Sequence, residues 1–342
     1  MRTHRTRVVA EAISPTSTFR IRTAALSAAA VVSLVLSGCA GVDVPPANSN
    51  GPQEITKIRV MDTQGTSASF IEYAISEGIF AKHGLEVDFQ PAAGGAASVP
   101  ALISGDIQFA GSGVTSIIAA AAKGLPLRYV APGVVSTSEK DKHSSTVFAA
   151  EGSSIKSIND LKGKKIAVCT LRSMCDLPIR VALVKAGMSP EDVQFVEIPF
   201  PDTMTAIQRG AVDAGFLIEP FETNALKADL VPVIYPYEEI RSALQISAYA
   251  TTEQYAQDNP GIVESFRGAL ADTADAINAD LSKFRGFMVA YTKVPAEIAG
   301  DISLPVWRAE DDPSSWVELS DQMLKFGYIE KAPDLTKLGV VK

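Results

Sequence analysis

The sequence predicts an α/β protein of two lobes, each a mostly parallel sheet flanked by helices. Short buried strands alternate along the chain with helices whose apolar residues recur every three or four positions. Within residues 94–116, a small-residue turn leads into a helix, a buried strand and a second small-residue turn. A weaker copy of residues 101–110 returns at 206–215. This repeat indicates that the two lobes are built alike.

Composition limits the possible partners. The 342 residues, 46% hydrophobic and 20% charged, are enough for two domains with a buried core. A formal net charge of −8 argues against nucleic acid, because neutralising phosphates needs a basic surface. His4, His83 and His143 lie far apart and, with three scattered cysteines, offer no metal-ligand spacing. We therefore expect a monomer with no cofactor, no metal and no nucleic-acid partner.

The N-terminal residues 1–38 have the pattern of a lipoprotein signal peptide. A basic start precedes an apolar run over 24–36, about thirteen residues, which is shorter than the ~18 to 20 that a membrane helix needs. Leu36-Ser37-Gly38-Cys39 then resembles the bacterial lipobox, in which the cysteine takes the lipid and becomes the mature N-terminus. The alternative is an ordinary signal peptide with an incidental cysteine. With lipidation at Cys39, the protein is exported and touches the membrane only through its lipid anchor. A single acyl group such as palmitate would hold it only marginally, whereas the two or three chains of a bacterial lipoprotein anchor it stably.

Residues 39–53 are rich in Pro, Gly and Asn and predict a flexible tether. If Cys39 carries lipid, Cys169 and Cys175 remain as a pair in an oxidising compartment. The two cysteines could form a disulfide or remain as two buried thiols. The sequence does not decide between these states, because it cannot give the separation of the two Cα atoms.

The first lobe is predicted over 54–143 as a βαβαβαβ unit, whose helical crossovers require parallel neighbours. Strands are expected at 58–60, 85–89, 106–110 and 127–135, with helices over 70–79, 95–105 and 114–123. The segment Gly111-Ser112-Gly113 is expected to be a turn.

The second lobe is predicted over 144–243, where the alternation restarts. Strands are expected at 146–150, 165–168, 193–198, 214–218 and 230–235, with helices at 178–186, 203–208 and after Phe221. An extended stretch over 244–250 and a mostly helical one over 252–292 return the chain to the first lobe, so that 244–342 completes it with C-terminal helices. Two segments then cross between the lobes and give a hinge that opens and closes a cleft.

Ligands of open parallel sheets bind at the carboxyl ends of the strands, so the turns that follow the strands supply the candidate binding residues. In the first lobe these are Gln64, Thr66, Ser67, Gly94, Gly95, Ser98, Ser112, Thr115 and Ser116. In the second lobe they are Arg172, Ser173, Asp176, Asp202, Thr203 and Glu219.

These candidates favour a small polar or anionic ligand, because helix starts present unpaired N–H groups. Arg172 could grip a carboxylate or sulfonate with two parallel bonds, whereas Asp176 and Glu219 could favour an amine or a heterocyclic N–H. For Ser98, Thr115 and Thr203, helix capping is an equally good interpretation. For Glu219, an equally good interpretation is that the residue shapes the turn before Pro220.

Aromatic side chains offer a further possibility. Phe70, Tyr73, Phe109 and Phe221 could stack on an aromatic ligand, but the first three fall on apolar faces or in a buried strand and are expected in the core.

Several motifs together resemble the substrate-binding lipoproteins of ABC importers in the nitrate, sulfonate, taurine and thiamine-pyrimidine-precursor class. Besides the lipobox they are G-x-F-x-K-x-G-L-E-V at 78–87, A-L-x-x-G-x-I-x-F-A-G-S at 101–112, D-L-K-G-K-K-I-A-V at 160–168, A-I-Q-R-G-A-V-D-A-G at 206–215, Glu219-Pro220-Phe221, and N-P-G-I-V-E-S-F at 259–266. The resemblance covers nearly all of 54–330 in order. It implies the type II periplasmic-binding-protein fold, with a ligand held between the lobes.

The resemblance further implies that the closed form delivers its ligand to a membrane permease driven by an ATPase, and that the chain is not an enzyme. The segment 172–176 departs from the glycine-rich turn usual at this place, so the family name transfers no particular ligand. Two other functions use the same cleft: a ligand-sensing subunit of a membrane receptor, and an enzyme with a cleft carboxylate as its acid or base.

Overall fold

The computed structural model describes residues 55–137, 143–292, 295–308 and 310–341. The predicted signal peptide, Cys39 and the tether lie outside these residues. Within the described part, no helix combines the length and the hydropathy needed to cross a membrane.

The strands of the described residues are β1 (Thr56–Thr63), β2 (Leu85–Ala92), β3 (Phe109–Gly113), β4 (Leu127–Pro132), β5 (Val134–Val135), β6 (Ser145–Ala149), β7 (Lys165–Val168), β8 (Gln194–Glu197), β9 (Ala214–Ile218), β10 (Val231–Ile234), β11 (Ser247–Thr252) and β12 (Val306–Trp307). The helices are α1 (Thr66–Ser76), α2 (Ile79–Lys82), α3 (Gly95–Ser104), α4 (Val114–Ala122), α5 (Leu177–Lys185), α6 (Phe200–Gln208), α7 (Phe221–Lys227), α8 (Pro236–Ile240), α9 (Glu253–Asp258), α10 (Pro260–Ala279), α11 (Leu281–Thr292), α12 (Pro313–Lys325) and α13 (Leu335–Leu338).

Two five-stranded sheets with the same topology form the two lobes. The lobe I sheet has the order β2-β1-β3-β11-β4, and the lobe II sheet has the order β8-β7-β9-β6-β10. In each sheet the fourth strand, β11 or β6, is antiparallel to its neighbours, while the first three strands are parallel. The repeated segments occupy equivalent places, α3–β3 in lobe I and α6–β9 in lobe II. The two-lobed α/β fold expected from the sequence is therefore confirmed.

One hydrophobic cluster is confined to lobe I, and a second one joins the α3 and α4 side of lobe I with the interior of lobe II. In lobe I, Phe109 stacks on Phe266 of α10 with ring centroids 4.0 Å apart, and Trp307 lies over Phe70 of α1 at 5.6 Å. Tyr73 is equally buried, so the expected core positions of Phe70, Tyr73 and Phe109 are confirmed. In lobe II, Ile166 of β7 and Phe216 of β9 are fully buried, and α6 packs on both strands. These cores leave the carboxyl ends of the parallel strands to face the other lobe.

Lobe I differs from the sequence prediction in strand pairing. The prediction that β3 and β4 are parallel neighbours is wrong, because the returning strand β11 lies between them and pairs antiparallel with both. The same pairing extends β3 through Gly111 and Gly113, which were expected in a turn: Gly111 lies opposite Tyr249 and Gly113 opposite Ser247. A strand that arrives more than a hundred residues later leaves no local signal at these positions.

The segment expected as one strand over 127–135 is two. β4 ends at Pro132, and β5 turns to pair with β12 in a separate two-stranded ladder. Gly133 lies between these two strands, where the chain passes close to Ser247. A Cβ at this position would lie only 2.4 Å from Ser247 Oγ, so the close approach requires a glycine.

Candidate functional site: the interlobe cleft

A cleft between the lobes encloses about 640 Å³ outside the protein atoms, part of it open to solvent. Its walls come mainly from the carboxyl ends of the parallel strands, three from each lobe. Lobe I contributes Thr63, Thr66, Ser67, Gly94, Gly95, Gly113 and Ser116. Lobe II contributes Cys169, Thr170, Ser173, Met174, Cys175, Phe200, Ile218 and Tyr237. The crossing segments and the C-terminal return add Val134, Ser144, Ile246, Ser247 and Pro305.

Three helices of lobe I begin at this cleft with a glycine in place of a capping side chain. The N-cap residues of α1, α3 and α4 are Gly65, Gly94 and Gly113, and none supplies a side-chain hydrogen bond to the first turn. A helix start without a cap carries N–H groups that seek an acceptor and a partial positive charge. The lobe I wall is therefore suited to oxygen atoms that carry negative charge.

Buried hydroxyl groups without a partner lie around these helix starts. Among the described residues, Ser98 Oγ, Ser112 Oγ and Thr115 Oγ1 are fully buried and make no hydrogen bond. A Cβ built on Gly95 would lie 2.3 Å from Ser112 Oγ and 2.4 Å from Ser116 Oγ. The first turn of α3 thus lies directly against two serine hydroxyls of β3 and α4. Buried polar groups normally make hydrogen bonds, so these three unpaired hydroxyl groups mark a place where a ligand or water supplies the hydrogen-bond partner.

The lobe II wall is more apolar. Met174, Phe200, Ile218 and Tyr237 face the cleft, and Phe200 stacks on Phe221 with centroids 5.9 Å apart. Cys169 and Cys175 form a disulfide, with Cα atoms 5.9 Å apart, and both line the cleft. Of the two states left open by the sequence, the structure contains the bridge.

Charged side chains do not line the cleft in the described residues, which place no Lys, Arg, His, Asp or Glu there. Three acids are buried close behind it. Burial raises the pKa of Asp62, next to Thr63, to about 7, and that of Glu219, next to Ile218, to about 7. Burial, followed by the nearby charge of Glu219, raises the pKa of Glu222 to about 9. Glu222 is thus protonated at neutral pH and the other two are partly so, which limits their repulsion of an anion.

The candidate residues from the sequence fall into three groups. Those that line the cleft are Thr66, Ser67, Gly94, Gly95, Ser116 and Ser173. Those buried behind it with unpaired hydroxyls are Ser98, Ser112 and Thr115. The remaining ones, outside the cleft lining, are Gln64, Arg172, Asp176, Asp202, Thr203 and Glu219.

Arg172 and Asp176 are bound to the C-terminal part of the chain. The Arg172 guanidinium donates to the carbonyl oxygens of Gly327 and Tyr328, at 2.7 and 2.8 Å, and lies over the Tyr328 ring. The Asp176 carboxylate is fully buried and accepts from Ser173 N, Arg180 Nε and the Tyr328 hydroxyl. Anion binding by Arg172 and ligand contact by Asp176 stay predictions that this arrangement does not favour.

The other candidates outside the cleft lining either make hydrogen bonds within the protein or lie on another part of the surface. Thr203 Oγ1 donates to the carbonyl oxygens of Ile198 and Pro199, and Asp202 is exposed in the first turn of α6. Gln64 lines a second groove beside Pro220 and Tyr291. Glu219, whose peptide bond to Pro220 is cis, accepts from Thr223 and from Ser303.

Sequence reasoning missed the apolar side of the cleft. Phe200 is the first residue of α6, which follows β8, so it lies at a strand end like the polar candidates. An apolar residue at such a position is equally typical of the core and gives no signal of its own. Tyr237 comes from the short helix α8, and Ile246 and Pro305 come from connecting segments. The sequence carries no comparable signal for these three positions.

The sequence profile of the family described as NMT1/THI5 like matches residues 66–280. The chain belongs to the NMT1/THI5-like family. Its resemblance to the importer-associated binding proteins is thereby confirmed at the level of the family.

Relatives of this NMT1/THI5-like chain include the taurine-binding periplasmic protein of Escherichia coli, 28% identical over 211 residues, which are 60% of this chain and 62% of that protein. The riboflavin-binding protein RibY of Chloroflexus aurantiacus is 26% identical over 69% of this chain and 68% of its own. The match thus spans less than two thirds of the taurine-binding protein. Both relatives are named as binding proteins.

Among solved structures, the alkanesulfonate-binding protein SsuA of Xanthomonas axonopodis pv. citri, bound to MOPS, superposes with a TM-score of 0.67. It is 17% identical, and the match covers 82% of this chain and 96% of that one. The periplasmic nitrate-binding protein NrtA of Synechocystis, 15% identical, superposes with a TM-score of 0.66 over 84% of this chain and 85% of that one. These matches establish the periplasmic-binding-protein fold.

Proposed function

We propose that this protein is an extracytoplasmic binding protein that captures a small organic anion between its lobes and delivers it to the permease of an ABC importer. The convergence of three uncapped helix starts on one cleft carries the proposal. Backbone N–H groups and helix dipoles bind oxyanions without a side-chain charge. The named relatives, which bind taurine and riboflavin, agree with a small-molecule binding role.

The two walls of the cleft specify different parts of the ligand. The hydroxyl groups of Thr66, Ser67 and Ser116 and the first turn of α3 suit the oxygens of a sulfonate or carboxylate. Met174, Phe200 and Tyr237 suit an apolar or ring-bearing body. We therefore favour a sulfonate or carboxylate with an uncharged body over a compact ion such as nitrate.

A zwitterion such as taurine fits this cleft less well. Its ammonium group would need an acceptor of negative charge, and no carboxylate lines the described part of the cleft. Desolvating an ammonium group without such a partner opposes binding.

We also propose that the globular part is anchored outside the cytoplasmic membrane through lipid on Cys39. The motif Leu36-Ser37-Gly38-Cys39 supports this step. A Cys39→Ser variant expressed in bacteria should move from the membrane fraction to the soluble fraction. Equal membrane retention of both forms would rule out this anchor.

A thermal-shift screen of the full-length chain tests the ligand class. The probes are benzenesulfonate, benzoate, taurine, nitrate and riboflavin. A ligand at 100 times its Kd stabilises the folded state by about 2.7 kcal/mol, so the ring-bearing anions should raise the Tm by a few degrees. Taurine and nitrate should raise it less at equal concentration.

A rise with riboflavin and none with any anion would overturn the anion proposal. A neighbouring gene pair for a permease and an ATPase would support import. A neighbouring receptor kinase gene would support the alternative, a sensing subunit that uses the same cleft.

A further inference from the structure

The short segment 299–303, which runs beside the cleft, is held from both lobes. It belongs to lobe I, where Ile302 is buried in the core and Arg285 of α11 donates to the carbonyl oxygens of Ala299 and Ile302. This side of the segment is fixed to the helices that pack on α1.

The other side of the segment is bound by lobe II. The backbone N–H of Ser303 donates to Glu219 Oε1 at 2.7 Å, and Lys227 Nζ lies 2.6 Å from Asp301 Oδ2. Glu219 is only 1% exposed, whereas Lys227 and Asp301 are each 55% exposed. The buried bond is shielded from water, so it carries more of the interlobe attachment than the solvated ion pair.

The place of these contacts links them to the ligand site. Ile218, which precedes Glu219, and Pro305, which follows the segment, both line the cleft. The lobes also touch here through the backbone, because a Cβ on Gly65 would lie 2.9 Å from the Glu219 carbonyl oxygen. Opening the cleft on this side must separate Glu219 from Ser303.

We propose that residues 299–303 are a latch that Glu219 and Lys227 engage when the two lobes close. Glu219 is then a positioning residue that holds the closed form and does not contact the ligand. Within the described residues, the Glu219 carboxylate is hydrogen-bonded to Thr223 and Ser303, and Glu219 does not line the cleft. The proposal rests on the proposed function only in that the cleft opens and closes.

The test uses the full-length chain without ligand, so it is independent of ligand identity. Hydrogen exchange at the Ser303 amide reports the bond, and the radius of gyration from small-angle scattering reports opening. Glu219→Ala should speed Ser303 exchange at least tenfold and increase the radius of gyration. Glu219→Gln should keep both near wild type, since the amide oxygen still accepts from Ser303.

Thr223→Val is the matched control. It removes the hydroxyl that bonds the same carboxylate from within lobe II and leaves the interlobe bond in place. Unchanged Ser303 exchange in Glu219→Ala, or equal changes in Glu219→Ala and Thr223→Val, would overturn the latch.

If Glu219→Ala does not fold, the exposed pair tests the same idea. Lys227→Asp alone should speed Ser303 exchange a few-fold, and Lys227→Asp with Asp301→Lys should restore it. Equal exchange in the single and double variants would also overturn the latch. Neither result bears on the proposal that the cleft binds an anion, because no anion is present in the measurement. The latch and the proposed function can therefore fail separately.

Discussion

At the scale of single residues, Gly95 is the position where the cleft is least tolerant of change. A methyl group there would lie 2.3 Å from both Ser112 Oγ and Ser116 Cβ, and Ser112 is fully buried. The first turn of α3 would have to move away from α4, which carries its N–H groups away from the ligand. Overpacking of this kind costs about 1–3 kcal/mol.

We therefore expect Gly95→Ala to weaken the best ligand of the screen at least tenfold, measured by calorimetric titration. Gly261→Ala is the control, because Gly261 lies in the first turn of α10 with open space around its Cβ position. It should leave the affinity unchanged. Wild-type affinity in Gly95→Ala would show that the α3 start does not hold the ligand.

At the scale of structural elements, the C-terminal arm, residues 313–341, joins the two lobes behind the cleft. Its helix α12 packs on α4 of lobe I, and the indole N–H of Trp316 on α12 donates to Gln245. Farther on, the Tyr328 hydroxyl donates to Asp176 at the back of the disulfide loop. Since burial raises the pKa of Tyr328 above its ordinary value, the hydroxyl stays a donor throughout the physiological range.

Tyr328→Phe should lower the Tm, because a hydrogen bond to a buried carboxylate contributes about 1.5–3 kcal/mol. Arg172→Ala should lower it in the same way, since it removes two bonds from the same arm. Thermal unfolding with and without benzenesulfonate measures both effects. A normal Tm in Arg172→Ala combined with lost benzenesulfonate binding would support the sequence-based prediction that Arg172 contacts the ligand.

The sequence predicted those elements whose signals are local. The α3–β3 and α6–β9 repeat was visible because a glycine ends each helix and a buried strand follows, and both lobes contain it. The insertion of β11 between β3 and β4 was not visible, because pairing partners far apart in sequence leave no pattern in either segment. For the same reason the sequence placed Arg172 in the cleft, since its partners at 327–328 lie about 155 residues away.

The cleft lining was predictable only on its polar side. Thr66, Gly95 and Ser173 follow strands and are the residue types expected at helix starts. Burial and pairing, which decide whether Asp176 and Glu219 face a ligand or the protein, depend on Tyr328 and Ser303 and cannot be deduced from the spacing of residues.

At the scale of the whole molecule, the buried acids make stability depend on pH. The pKa values of Asp62 and Glu219 are raised to about 7 and that of Glu222 to about 9, in each case mainly by burial. A raised carboxyl pKa means that the folded state holds its proton more tightly than the unfolded state. The stability from these protons is complete below the ordinary carboxyl pKa and is lost as pH rises through 7 to 9.

We expect the Tm of the wild type to fall between pH 6 and pH 9, and Glu222→Gln to flatten the part of the fall above pH 7. The glutamine stays neutral, and its oxygen can still accept from Thr146 Oγ1, which bonds Glu222 at 2.6 Å. Glu264→Gln, at an exposed site on α10, is the control and should follow the wild type. Parallel curves for wild type and Glu222→Gln above pH 7 would mean that Glu222 is already ionised in the folded protein. The cleft would then face a full negative charge from Glu222, which would count against an anionic ligand.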